Sequence, residues 1–184
     1  DFTSPTFMNT PSPPSWTLSI ALQRPIVAST RLMSERSGVA EPDMTRDEII
    51  ALFNRREAAW EARDAASLTA DHAVDGVVVS PTGGVLEGRV EIERIYRVWF
   101  TAFPDLVFTT EDLIVDENRV CLLCRITGSH AGEFFGMPPT GRRIEVAGAF
   151  IYRLQGGLIA HERRILDFTG LLVQVGVLRA KPAG

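Results

Sequence analysis

Asp167 stands in the most apolar setting of any acid near the end of this chain, after Ile165-Leu166 and before Phe168. A carboxylate among apolar groups titrates upward, as removal of a proton α to a carbonyl demands, and a nearby donor must hold the developing enolate oxygen. The same position suits the N-cap of a short C-terminal helix. Both roles coexist only if one carboxylate oxygen stays free. His161, Arg163, Ile165 and Asp167 recur at period two and so share one strand face. Arg163 and Asp167 are ~13 Å apart along such a strand, too far to pair unless their side chains lean together. In a pocket, Arg163 would recognise a carboxylate or enolate; on the outer face it would meet solvent or a second subunit. His130 ends a strand in which Leu122, Cys124, Ile126 and Gly128 alternate with it. If that face lines a cavity, His130 stands at its mouth as a donor or proton shuttle; otherwise it anchors the following Gly-Pro loop. Phe150 and Tyr152 share a face on the next strand, where only the tyrosine hydroxyl offers chemistry.

Other signals fail on spacing. Cys121 and Cys124 form a CxxC, but residues three apart on a strand point to opposite faces, and no second pair exists for zinc. His72, His130 and His161 lack H-E-x-x-H spacing, so no metal site is expected. Gly83-Gly84 lacks the pattern of a phosphate loop, and no G-x-S-x-G elbow supports a Ser-His-Asp triad.

The elements that must position these residues follow from periodicity. Thr45-Arg46-Asp47-Glu48 reads as a capping box, and Ile49, Leu52, Phe53 and Trp60 continue at helical spacing to about Arg63. Asp64 caps a short helix over 65–69. Val77–Val79 reads as a short strand before the Gly83-Gly84 turn. Ile92, Ile95, Tyr96, Trp99, Phe100 and Phe103 give a helix over 90–103, stopped by Pro104. Strands follow over 106–115, 120–130, 143–154 and 158–167. A loop spans 131–141, and a last helix runs over 171–175. Helices followed by hairpin-linked strands imply an α+β domain, helices packed on a curved antiparallel sheet around a cavity. Trp60, Trp99, Phe103, Phe134 and Met137 belong to that core or pocket.

Composition bounds the rest. With 184 residues, 45% hydrophobic and 23% charged, the chain makes one ordinary globular domain plus a tail. A net charge of −4 argues against a general nucleic-acid binder. No apolar run approaches the ~20 residues of a membrane span. Residues 1–43 hold six of the eleven prolines and read as a disordered leader, with the domain over 44–184 and a cytoplasmic location as the default. Arginine supplies 18 of the 19 basic residues, a usage resembling that of high-GC bacteria.

One stretch is familiar. Gly128-Ser129-His130-Ala131-Gly132-Glu133-Phe134-Phe135-Gly136-Met137-Pro138-Pro139-Thr140-Gly141-Arg142 closely resembles the G-T-H-x-G-E-F-x-G-x-P-P-T-G-[RK] segment of SnoaL-like polyketide cyclases, in the NTF2-like superfamily. Ala102–Asp105, Ile151–Arg153 and Asp167–Gly176 match in order and spacing, so the resemblance covers about residues 45–178. It implies an α+β cone. It also implies an intramolecular aldol condensation on a polyketide-like carbonyl compound, with no cofactor and no metal. In such cyclases an Asp at the end of the last strand is the general acid/base, and Asp167 occupies that position. His130 or Tyr152 is then a donor, and Cys124, Phe150 and Arg163 join the aromatic residues as substrate-binding wall. Relatives often carry Trp where Cys124 and Arg163 stand. The resemblance further implies a homodimer built on the outer sheet face. The alternatives are a ligand carrier on the same cone and a cone-fold epoxide hydrolase, which would need a second acid aimed at Arg163.

Overall fold

Thr45 accepts from Glu48 N while Glu48 returns to the Thr45 backbone, and this completed capping box starts α1 (Arg46–Glu61). Its inward stripe is Ile49, Leu52, Phe53, Arg56, Ala59 and Trp60, so an arginine sits where the pattern calls for an apolar residue. Arg63 turns the chain in the left-handed region (φ 53), and Asp64 caps α2 (Ala65–Ala70) through Ser67 N at 3.0 Å. The computed structural model describes residues 44–179, so the leader expected over 1–43 lies outside the described residues.

The chain then forms β1 (His72–Ser80), β2 (Gly84–Glu87), α3 (Gly88–Ala102), β3 (Val107–Asp116), β4 (Arg119–Ser129), β5 (Arg143–Gln155), β6 (Leu158–Leu166) and α4 (Phe168–Gln174). One six-stranded sheet has the order β2-β1-β6-β5-β4-β3. The helices-first α+β architecture is as the sequence implies, but the sheet is mixed rather than purely antiparallel. β1 lies parallel to β6, with Val77 beside His161 and Val79 beside Arg163. This pairing joins the first strand to the last, and period-two patterning carries no information about it. β1 also begins five residues earlier than its apolar run, because a register shift between His72 and Val77 interrupts the alternation.

The concave sheet face presents Val120, Leu122, Cys124 and Ile126 of β4, and Ile144, Val146, Phe150 and Tyr152 of β5, all buried. Against them α3 lays Ile92, Ile95, Tyr96, Trp99 and Ala102. Aromatic contacts close the core. Trp60 stacks on Phe108 (4.5 Å) and meets Tyr96 edge-on (5.3 Å), while Phe53 meets Tyr152 edge-on (4.9 Å). The 131–142 loop docks on the end of α3 by Ala131 N and Gly132 N donating to the Ala102 carbonyl at 2.9 and 3.0 Å. Gly132 is required there, since a Cβ would lie 2.2 Å from the Thr101 carbonyl oxygen. No helix among the described residues is long and apolar enough to cross a membrane.

Candidate functional site

The parity of β6 decides which of its side chains meet the interior. Ile151 pairs with Arg163 and Ala149 with Ile165, placing both β6 residues on the convex face, where both are exposed. Glu162 and Arg164 turn inward instead, 0% and 4% exposed. The period-two set expected from the sequence is therefore real, but Arg163 and His161 belong to a surface pocket of ≈350 Å³ with Arg119, Ile151, Tyr152 and Arg153. Arg119 stands opposite Arg153, and Arg153 opposite His161.

Asp167 follows the end of β6 and caps α4, its Oδ1 accepting from Gly170 N at 2.8 Å. The residue is exposed, so the dry, apolar setting expected from Ile165, Leu166 and Phe168 is not what the fold gives it, and Oδ2 has no hydrogen-bond partner among the described residues. His130 is fully buried between Phe103 and Phe134, ring centroids 5.4 and 6.3 Å away. Its Nδ1 contacts the Thr140 hydroxyl at 3.1 Å, and its backbone bonds Arg142, Thr140 and Gly141. Burial lowers the His130 pKa, opposed by the Gly132 backbone. Its Nε2 has no hydrogen-bond partner among the described residues. Asp167 N bonds the Ala147 carbonyl, and Ala147 lies opposite Arg125, five residues before His130. Asp167 and His130 are thus about 16 Å apart along the strands and two strand spacings across, so the structure does not bring them together on one atom.

Trp60, Trp99, Phe103, Cys124, Phe134, Phe150 and Tyr152 are buried in one core, with Met137 half-buried against it. Phe134 and Met137 exchange backbone hydrogen bonds at 3.0 Å, which folds the loop back over the cone. Cys124 and Cys121 are free thiols, and burial pushes Cys124 up to about 12. The hydroxyl of Tyr152 is likewise driven well above its ordinary value by burial.

A polar cluster lies inside this apolar frame. His72 Nε2 is 2.9 Å from Glu162 Oε2, and Nδ1 is 3.1 Å from the Leu68 carbonyl. Arg164 Nε donates to Glu162 Oε1, and its guanidinium carbon lies 4.6 Å from the Tyr96 ring centre and 5.3 Å from that of Phe150. Arg56 donates to Leu68 O (2.8 Å) and to the Tyr96 hydroxyl (3.0 Å), with Asp71 3.6 Å away. Burial alone would raise the Glu162 carboxyl; the Arg164 charge and the His72 hydrogen bond outweigh it and hold the group well below the carboxylate range. Burial depresses His72 from 6.5, opposed by its Glu162 bond and reinforced by Arg56 and Arg164. Arg56, His72, Tyr96, Glu162 and Arg164 are not among the site residues expected from the sequence. The signal for one of them was present: Arg56 falls at helical spacing between Phe53 and Trp60, on the apolar stripe.

Arg164 Nη2 is buried and has no hydrogen-bond partner among the described residues. Arg164 also lines a pocket of ≈330 Å³ with Val79, Ser80, Pro81, Arg163, Ile165 and Leu166, where β1 leaves the edge of β6. Among the described residues no group of three metal-ligating side chains comes together. Among the described residues Arg163 pairs with no acid, so the arrangement sought for epoxide opening around Arg163 does not form there.

Helices over a curved mixed sheet make an NTF2-like fold. The fold is shared by an NTF2-like protein from Burkholderia pseudomallei, 16% identical, TM-score 0.61, with 72% of this chain and 99% of that chain covered. Within that class the chain belongs to the SnoaL-like polyketide cyclase family, whose profile matches residues 51–175. AclR from Streptomyces galilaeus, described as a proposed hydroxylase, is 28% identical, with TM-score 0.66 over 75% of this chain and 87% of its own. IdmH from Streptomyces antibioticus, described as a proposed polyketide cyclase, is 26% identical, with TM-score 0.59 over 69% of this chain and 97% of its own. No curated protein matches the chain.

Proposed function

We propose that this chain performs cofactor-independent acid–base chemistry, of the cyclising or isomerising kind, on a small apolar carbonyl compound. Asp167 is the base. The observation that carries this is the single tether of its carboxylate: Oδ1 is occupied by Gly170 N, which fixes the group, while Oδ2 is left to take a proton. Leu166, the residue before it, lines the ≈330 Å³ pocket in which a small substrate can sit. Family membership supports the reaction class, and AclR carries a different description, that of a proposed hydroxylase. His130, far from Asp167 and bonded to Thr140, Gly141 and Arg142, holds the 131–142 loop rather than sharing the reacting atom.

The test is α-proton exchange in D2O, followed by NMR on a panel of small β-keto esters. Wild-type protein accelerates exchange of at least one member, and Asp167→Asn slows it by about 10²–10⁴-fold with folding intact. Asn still caps a helix, so the substitution separates proton transfer from capping. Unchanged exchange in the variant removes Asp167 as base and leaves a ligand carrier. We further infer a homodimer through the convex sheet face, where Ile114, Leu123, Ile151 and Ile165 are exposed.

A further inference from the structure

We propose that the convex sheet face carries a binding site for a compact polyanion of the diphosphate class, formed by Arg119 of β4, Arg153 of β5 and Arg163 of β6 with His161 at their side. The site lies across the sheet from the cone interior and does not rest on the acid–base reading above.

The first observation is where the register puts these charges. Arg119 stands directly opposite Arg153, and Arg153 directly opposite His161. Arg163, paired with Ile151, comes one side-chain step further along β6 on the same face. Neighbouring strands are ~4.8 Å apart and the step is ~6.6 Å, so three guanidinium stems rise from one small area. Like charges placed opposite one another on a sheet oppose its formation. Arg153 bears most of this, with Arg119 on one flank and Arg163 diagonal on the other.

The second observation is that nothing in the fold answers them. Arg119, Arg153 and Arg163 are exposed, and their side chains make no ion pair or hydrogen bond among the described residues. Asp116 lies opposite Arg119 on the edge strand β3 yet forms no ion pair with it. The other end of the row is Glu87 of β2, with Val77 between it and His161. The contrast is on the same face, where Arg125 of β4 is held by Glu111 at 2.7 Å and by Glu145 at 2.6 Å. Arg55, Arg94 and Arg97 likewise each reach a carboxylate. Arginines matched by the fold's own acids serve the fold; this row opposes it and leaves its donors open.

The third observation is a shaped space. The three arginines and His161 line one pocket of ≈350 Å³ beside Ile151, and no carboxylate stands among its described lining residues. A monocarboxylate would answer only one of the fixed positive charges. A diphosphate carries several negative charges in a small volume, and its oxygens accept from the planar forks of more than one arginine at once. His161 contributes the single N–H of a neutral imidazole. With a net charge of −4 the chain as a whole repels anions, so this row is a local reversal of sign rather than part of a basic surface. Among the apolar residues inferred to pair two copies, only Ile151 reaches this pocket, which puts the site at the rim of that contact.

The experiment is calorimetric titration of the full chain with sodium pyrophosphate, and separately with acetate, in phosphate-free buffer at about 0.15 M NaCl. Pyrophosphate binds at least about tenfold tighter than acetate. Arg153→Gln weakens it about tenfold or more, and Arg153→Lys recovers part of the loss. Arg97→Gln, which removes an equal charge from α3, leaves it unchanged. Without pyrophosphate, Arg153→Gln melts at or above the wild-type temperature, because the repulsion with Arg119 is gone. Equal binding of the two anions overturns the proposal, as does an equal loss in Arg97→Gln, which signals unspecific charge attraction. A lower melting temperature of Arg153→Gln overturns it too, since the arginine then serves the fold. If acids of a second copy fill the row, pyrophosphate does not bind the native protein and the proposal falls. Asp167→Asn binds pyrophosphate as wild type does, so the fate of this site and that of the proposed base are read separately.

Discussion

Arg56 Nη2 donates to the Tyr96 hydroxyl at 3.0 Å across the interior, joining α1 to α3 by a hydrogen bond between two fully enclosed side chains. The same guanidinium reaches Leu68 O and stands near Asp71. Arg56→Met removes a charge whose partners stay behind in the core. A loss of roughly 3–5 kcal/mol is expected, read as a fall in the urea midpoint at unchanged slope.

Acid should destabilise the fold in two stages. His72 and Glu162 both have folded pKa values depressed below their ordinary 6.5 and 4.5, so the unfolded chain binds more protons than the folded one. Their stabilisation is present above those values and is lost as pH falls through them. Asp105, which accepts from Ser129 N and Oγ at 2.6 and 2.8 Å, acts in the same direction. Urea midpoints between pH 7 and 4 should decline throughout, and the part beginning near 6.5 should vanish in His72→Gln. A midpoint that rises on acidification contradicts this.

Most of the helices, the hairpins and the glycine-proline loop were legible in the chain, because capping boxes, apolar stripes and Gly turns are local signals. The β1–β6 pairing was not, since a parallel contact between Val79 and Arg163 leaves no trace in either segment alone. The candidate site was half legible. The alternation of β6 correctly grouped His161 with Arg163 and Ile165, but nothing local says which of two alternating faces is inside when both carry arginine. Glu162 and Arg164 look like surface residues until their pairing with His72 is seen.

Thiol chemistry reports on the strand parity of β4. Cys124 is fully buried with its thiol raised to about 12, whereas Cys121 lies half-buried on the other face. Ellman's reagent should modify at most Cys121 in the native protein, and both thiols only after unfolding. Two fast equivalents in native buffer would place Cys124 outside the core.

Gly132→Ala should loosen the loop that covers the cone. Its new methyl would overlap the Thr101 carbonyl, so the loop must leave the end of α3 or α3 must shift. A loss of about 1–3 kcal/mol is expected, with faster amide exchange at Ala131 and Gly132.

Ile151→Asp should split the dimer inferred on the convex face. Ile151 is 42% exposed there, so the monomer stays folded while sedimentation shows half the mass. A monomeric wild type removes that inference.

The side-by-side alignment of the first strand with the last has a consequence for biogenesis. β1 has only β2 for company until residues beyond Leu166 have emerged from the ribosome, and the cone's interior charges cannot be matched before then: His72 waits for Glu162, ninety residues downstream. Nascent chains of this protein therefore carry an unpaired strand edge from the emergence of β2 to that of β6, and completion of the sheet depends on whatever shields that edge in the meantime.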